Sequence, residues 1–404
     1  MRASVLAALA AALTLVTRAD DCESWTLTWW TPAWRELHYA EHELLANVSI
    51  SASRHVELNP IAALHREQGP EAAQRARQTW PREELERRRS DLLDAALEAE
   101  PTDCTIAAVR IRQSPRCEAT TRIAAAYAQR GLRVAFVLFG EEGERSCTTC
   151  SAFYARAPLV IRHYHDPTCE APALRRLGVE ADGRVGEADA PPGPPRVMTV
   201  PMGNGDMTKP EAARALARAS RERASSTRRF RWSFASAHRT PARNVVANAF
   251  DAWWAARGSA PDARLLAYPG KDPEYATNLG DSRFVLCPRG NVEDTWRLYE
   301  ALAAGAIPVV TDGGEYFSQF LPRELVTRFI VLDADLSDAT FARAFARIDA
   351  LLEDEGALDE HQRALIDAYE RFEVAWRVSL ADGLEAVGRA RTARAGAIGA
   401  HSPA

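Results

Sequence analysis

The chain has 404 residues, 47% hydrophobic and 26% charged, a length that allows roughly two to three domains and a composition that excludes a disordered or collagenous polymer. Its 50 Lys and Arg against 55 Asp and Glu leave a net charge of −5, so no positive field gathers the phosphates of a nucleic acid. Lys209 and Lys271 are the sole lysines, so the basic residues are overwhelmingly Arg and a single Arg carries little information by itself.

Residues 1–19 read as a targeting segment, with Arg2, an apolar run over 5–16 and Thr17, Arg18 and Ala19 at a small-residue cleavage site. That run is short of the ~20 residues needed to cross a bilayer, so cleavage after Ala19 is expected, and membrane attachment is expected only if the segment stays as a short signal anchor. Residues 20–100 start Trp-rich, with Trp25, Trp29, Trp30 and Trp34, and turn charged and helical after Pro81; they read as a helical N-terminal extension. Asn47 and Ser49 form an N-x-S sequon, which fits a lumenal surface.

From Cys104 the pattern changes to the short apolar runs TIAAVRI, RVAFVLFG, LVIRHYHD and RVMTVPMG, separated by helical stretches and, at 186–196, a Pro-rich loop. A second set, FRWSFASAH, a helix over 244–256, RLLAYP, SRFVLCP, AIPVVTD and FIVLDAD, follows from Arg228. Alternating strand and helix signals imply an α/β fold with parallel sheets, here two doubly wound domains facing a cleft, with ligands at the carboxyl ends of the strands. The expected domains are 101–226 and 227–335, then C-terminal helices over 336–390 and a flexible tail at 391–404.

Seven cysteines (Cys22, Cys104, Cys117, Cys147, Cys150, Cys169 and Cys287) in a secretory chain are disulfide candidates with one left over, and Cys287 is the expected free thiol. Cys147 and Cys150 form a CxxC without the second ligand pair a zinc finger needs.

The most informative stretch is SRFVLCPRGNVEDTWRLYEALAAGAIPVVTDG, residues 282–313. Pro288 and Gly290 break a buried-strand run, and Asn291 with Asp294 three residues later reads as a helix start. A helix N-terminus offers unpaired N–H groups and partial positive charge, which suits a diphosphate, and Arg289 adds a fork of donors. Glu300 sits among apolar residues, where a carboxylate needs donors such as ribose hydroxyls; Gly305 ends the helix. Read on spacing alone, the same stretch is also an ordinary βα unit with turn glycines and a solvated Glu300.

The order CPRG, RLYEAL, GAIPVV resembles the donor-sugar domain of the exostosin-type glycosyltransferases of family 47. The ending LIDAYERFEVAWRVSLADGLEAV is similar to the closing aromatic helix of their ribitol xylosyltransferase branch. The resemblance implies a GT-B fold, a nucleotide-sugar donor, most often UDP-linked, and inversion at the anomeric carbon; together with the targeting segment, the expected protein moves a sugar from a UDP-linked donor to a glycan hydroxyl in the Golgi lumen, on the Golgi membrane or outside the cell. It further implies that Arg289 holds the diphosphate and Glu300 the ribose, with Gly290, Asn291, Thr295 and Arg297 lining the donor loop. The segment FASAHRTPAR is similar to the family's first donor-domain loop, although Ala235 and Ser236 stand where a Gly usually follows the strand; Ser236 and Arg243 are further phosphate candidates, and Arg239 a weaker one.

An inverting transfer needs a base for the acceptor hydroxyl and a stabiliser for the leaving diphosphate. Asp166 or His165, at the end of LVIRHYHD, is the candidate base, and Glu141 and Glu142 are a second option; His163, Asp166 and their neighbours can equally close the strand and its turn. Arg289 and the helix terminus fill the second role without a divalent metal, and Asp333 with Asp335, a DxD after the last donor-domain strand, is not expected to bind one. Two narrower or different readings stand beside this one: a UDP-xylose-dependent enzyme with a phosphorylated or sugar acceptor, and a glycan-binding pseudoenzyme that keeps the fold without turnover.

Overall fold

Short runs rich in β-branched and aromatic residues form the strands of two parallel sheets. The computed structural model describes residues 25–31, 50–57, 60–98, 105–110, 133–138, 159–162, 196–199, 217–235, 241–258, 264–267, 274–290, 295–311, 314–333 and 335–389. By internal contact the chain divides into one unit of Met1–Gly178, Val185–Met198 and Arg377–Ala404, and another of Val179–Arg184 and Thr199–Trp376. The sequence suggested a division at 226/227 instead.

The first unit contains β1 (Trp25–Thr31), β2 (Ile50–Glu57), α1 (Pro60–Gln68), α2 (Pro70–Thr79), α3 (Arg82–Glu98), β3 (Thr105–Arg110), β4 (Arg133–Leu138), β5 (Leu159–Arg162) and β6 (Arg196–Thr199). Its sheet runs β2-β1-β3-β4-β5-β6. Strands β1 and β2 correct the expectation of a purely helical extension: β1 lies between β2 and β3 as an interior strand, so the Trp-rich segment is part of the sheet. A sequence such as WTLTWWT alternates too irregularly to announce itself as a strand, and parallel pairing on both edges decides the matter. Between α1 and α2, Gly69 adopts φ +85°, where a side chain would be strained, and Pro70 opens α2. Ile61, Ala73 and Ala76 form a small core with Leu64, Trp80 and Leu85 packed on it, and the Arg88 guanidinium lies 4.1 Å over the Trp80 ring.

The second unit contains β7 (Phe230–Ala235), α4 (Pro241–Ala256), β8 (Arg264–Ala267), α5 (Tyr275–Gly280), β9 (Ser282–Cys287), α6 (Trp296–Ala303), β10 (Ile307–Thr311), α7 (Gly314–Phe317), α8 (Arg323–Val326), β11 (Ile330–Leu332) and α9 (Asp338–Glu353). Helix α10 (Glu355–Arg389) begins here, and from Arg377 it groups with the first unit. The strand order is β11-β10-β9-β7-β8, so the chain leaves β7 for the β8 edge and then crosses to β9. The direction of winding switches between β7 and β9, and the carboxyl ends of the strands at such a switch point are the usual ligand position in these sheets.

Burial explains the continuous apolar runs. Trp232, Ser233 and Phe234 are buried in succession in β7, as are all five residues of β10, because helices cover both faces. Trp232 meets Phe250 edge-on at 4.8 Å, and Phe250 lies 4.8 Å from Phe345 of α9; each such ring contributes about 1.5–3 kcal/mol by leaving water. At the amino end of the sheet, Arg228 is 1% exposed and donates to the carbonyls of Ser220, Ser282 and Ala304 at 2.8–3.0 Å. Burial lowers its pKa to about 9 from the usual arginine range, with Arg223 adding to the effect.

Candidate functional site

Strand β9 ends at Cys287, and the chain then turns through Pro288, Arg289 and Gly290 at the switch point. The Arg289 amide donates to Thr311 Oγ1 at 2.9 Å, which ties the turn to the end of β10. From α4, the helix that follows β7, the Arg243 side chain reaches the same turn and its Nε donates to the Arg289 carbonyl at 3.4 Å. A β-carbon on Gly290 would stand 2.6 Å from Arg243 Nη2 and 3.9 Å from Thr295 Cγ2, so the glycine is needed for this guanidinium to lie against the backbone.

Helix α6 starts at Trp296, with Thr295 as its N-cap in extended conformation, and not at Asn291 as the spacing suggested. The Thr295 side chain makes no capping hydrogen bond. It is 4% exposed, and among the described residues its Oγ1 and the Nε of Arg297 have no hydrogen-bond partner. Orphaned polar atoms at the head of a buried helix are costly unless a ligand meets them. The Arg297 guanidinium also lies 5.0 Å over the Phe234 ring of β7.

Glu300, at the start of the second turn of α6, is 8% exposed among Leu298, Tyr299, Ala301 and Leu302. Its Oε2 accepts from the Tyr275 hydroxyl at 2.6 Å. Burial, and next the Glu300 carboxylate, raise the Tyr275 phenol well above its ordinary range, so it stays a donor. Sequence reading missed Tyr275, because a tyrosine at the start of a six-residue helix has no spacing that marks it. Cys287, whose thiol burial pushes up to about 12, feels the charges of Arg297, Glu300 and Arg243, which gathers these groups around the end of β9. It is free, as expected; the other six cysteines lie outside the described residues. Helix α6 closes through Gly305 at φ +67°, with Gly305 N–H to Leu302 O at 3.0 Å and Ala306 N–H to Ala301 O at 2.9 Å.

Arg243, Arg289, Gly290, Thr295, Arg297 and Glu300 thus come together at one strand end. Ser236, Asn291, His163, His165, Asp166, Glu141 and Glu142 lie outside the described residues. Asp333 and Asp335 have local duties: Asp333 accepts from Thr340 Oγ1 at 2.7 Å and pairs with Arg343, while the Ser337 amide donates to Asp335 at 3.1 Å and lowers its pKa. Both therefore fasten the start of α9.

Residues 270–386 match the family model described as the RXYLT1 C-terminal domain, a stretch that holds Tyr275 and every residue of the β9 turn and α6 discussed above. The solved α,α-trehalose 6-phosphate synthase of Burkholderia multivorans is similar over 90% of this chain and 97% of its own, at 12% identity and TM-score 0.50. A UDP-forming α,α-trehalose-phosphate synthase of Burkholderia vietnamiensis is similar over 90% and 100%, at 10% identity and TM-score 0.50. At these identities the likeness is one of fold, the GT-B fold. The chain is a glycosyltransferase. The matched domain agrees with the resemblance to the ribitol xylosyltransferase branch that CPRG, RLYEAL and GAIPVV carry. No curated protein sequence matches the chain.

Proposed function

We propose that this glycosyltransferase transfers a sugar from a UDP-linked donor to a glycan hydroxyl, with inversion and without a divalent metal, in the lumen of the secretory pathway. The observation that carries the reading is the pair of unmet polar atoms, Thr295 Oγ1 and Arg297 Nε, beside Arg243, Arg289 and the N-terminus of α6. Donors and positive charge converging on a helix N-terminus fit a diphosphate, and the negative charge that grows on it as the sugar departs is what they stabilise. Glu300 then takes the ribose hydroxyls.

In this reading the acceptor oxygen attacks the anomeric carbon, the bond from that carbon to the diphosphate oxygen breaks, and UDP leaves. The hydroxyl proton goes to a base, for which Asp166 or His165 is proposed, with Glu141 and Glu142 next. The RXYLT1-type match over 270–386 favours UDP-xylose as donor and a phosphorylated or sugar acceptor. The lumenal reading rests on the targeting segment at 1–19, with removal after Ala19 or retention as an anchor in the Golgi.

The test is a transfer assay in EDTA with UDP-xylose and other UDP-sugars, read by UDP release with a panel of sugar and sugar-phosphate acceptors. Acceptor-dependent release from one UDP-sugar supports the proposal; nucleotide binding with no release from any donor would favour the pseudoenzyme.

A further inference from the structure

We propose that Tyr275 is a positioning residue for donor recognition: its hydroxyl holds the Glu300 carboxylate in the orientation that accepts the two ribose hydroxyls, an inference that rests on the donor reading above.

Glu300 is nearly buried and has three side-chain torsions, so its carboxylate direction must be set by what surrounds it. The Arg297 guanidinium and the Tyr275 hydroxyl are among the groups around it. The Arg297 guanidinium, one turn earlier on α6, would draw the carboxylate toward the head of the helix and the diphosphate region. The Tyr275 hydroxyl, 2.6 Å from Oε2, holds it at the α5 side instead. Helix α5 is short and runs directly into β9 through Asp281, whose carbonyl accepts from the Phe230 amide at 2.8 Å, so Tyr275 is delivered from a fixed point of the sheet. A phenol with one rigid ring and a single donated proton is suited to fixing direction without adding charge. The ribose would then meet a carboxylate already turned toward it, and the ordering cost would be met on folding and not on binding.

Calorimetry with UDP and with 2′,3′-dideoxy-UDP, in EDTA, tests this in the wild type, Tyr275→Phe, Glu300→Gln and the double variant. The wild type is expected to prefer UDP by about tenfold or more, the worth of a charge-assisted hydrogen bond. Tyr275→Phe should reduce that preference to about threefold or less while dideoxy-UDP binds as before, and the double variant should lose no more than Glu300→Gln alone. The preference is a ratio within one variant, so a fraction of misfolded protein lowers the binding stoichiometry without changing it. If Tyr275→Phe keeps the wild-type preference, the positioning role is wrong and the donor reading stands. If the wild type binds no UDP, or binds both nucleotides equally, the ribose role of Glu300 fails and the role of Tyr275 falls with it.

Discussion

The Arg243 guanidinium lies in the space that a β-carbon on Gly290 would need, with Nη2 2.6 Å from that point. The obstructing atom is the far end of a flexible side chain, so Gly290→Ala is expected to fold with a melting temperature close to wild type. It should nevertheless displace Arg243 and weaken UDP binding about tenfold or more, the scale of one hydrogen bond to a charged group. Arg243→Ala should weaken binding by a similar factor, and combining the two should add little. Additive losses would show that the guanidinium and the glycine act separately.

Arg289 and Glu300 are expected to divide the work between chemistry and binding. Arg289→Ala should lower kcat more than it raises KM, by about 10²–10³, because the leaving diphosphate gains charge in the transition state. Glu300→Gln should cost about 1.5–3 kcal/mol in donor binding, since it removes charge-assisted bonds that are already present in the ground state. Unchanged kinetics in both variants would place the donor elsewhere.

Much of the C-terminal unit was legible from sequence because strands buried on both faces read as unbroken apolar runs: SRFVLCP and AIPVVTD became β9 and β10, and Gly305 closed α6. Strands β1 and β2 were not legible, since a Trp-rich run shows no period and one of the two strands that β1 pairs with, β3, comes more than 70 residues later. The start of α6 was misplaced because Asn291 and Asp294 look like capping residues, whereas the N-cap is Thr295, itself in extended conformation. Arg243 and Gly290 are 47 positions apart, and their contact depends on the β7 to β9 crossing, which no local pattern encodes.

The buried hub at the amino end of the sheet should control stability without touching the site. Arg228 alone satisfies three carbonyls, and Gly305 abuts it, with a β-carbon there meeting Arg228 Nη2 at 3.2 Å and Ile366 Cδ1 at 2.9 Å in addition to the strain of φ +67°. Arg228→Ala is expected to cost about 3–5 kcal/mol, and Gly305→Ala more than about 1 kcal/mol, read from urea unfolding. An Arg228→Ala midpoint equal to wild type would contradict the account of the hub.

Acid should weaken the same unit through His361. Burial lowers its pKa from the ordinary 6.5, which disfavours the charged ring in the folded chain, and its Nε2 lies 2.9 Å from the Arg328 carbonyl. The unfolded chain therefore binds the proton first: the contribution is complete above about pH 6.5 and is lost as pH falls through the lowered folded value. The urea midpoint should drop as the pH falls below about 6.5, and His361→Gln should flatten that drop. A variant with the full wild-type slope would assign the pH dependence to other groups.

Arg243, Arg289, Thr295, Arg297 and Glu300 are proposed to form a donor site that works without a metal. Calorimetric titration of the chain from Asp20 onward with UDP and with GDP, in EDTA and then with manganese, tests this. Micromolar UDP binding that EDTA leaves unchanged and that Arg289→Ala or Glu300→Gln weakens is the expected result; UDP binding that appears only with manganese, or no UDP binding in either condition, would contradict it.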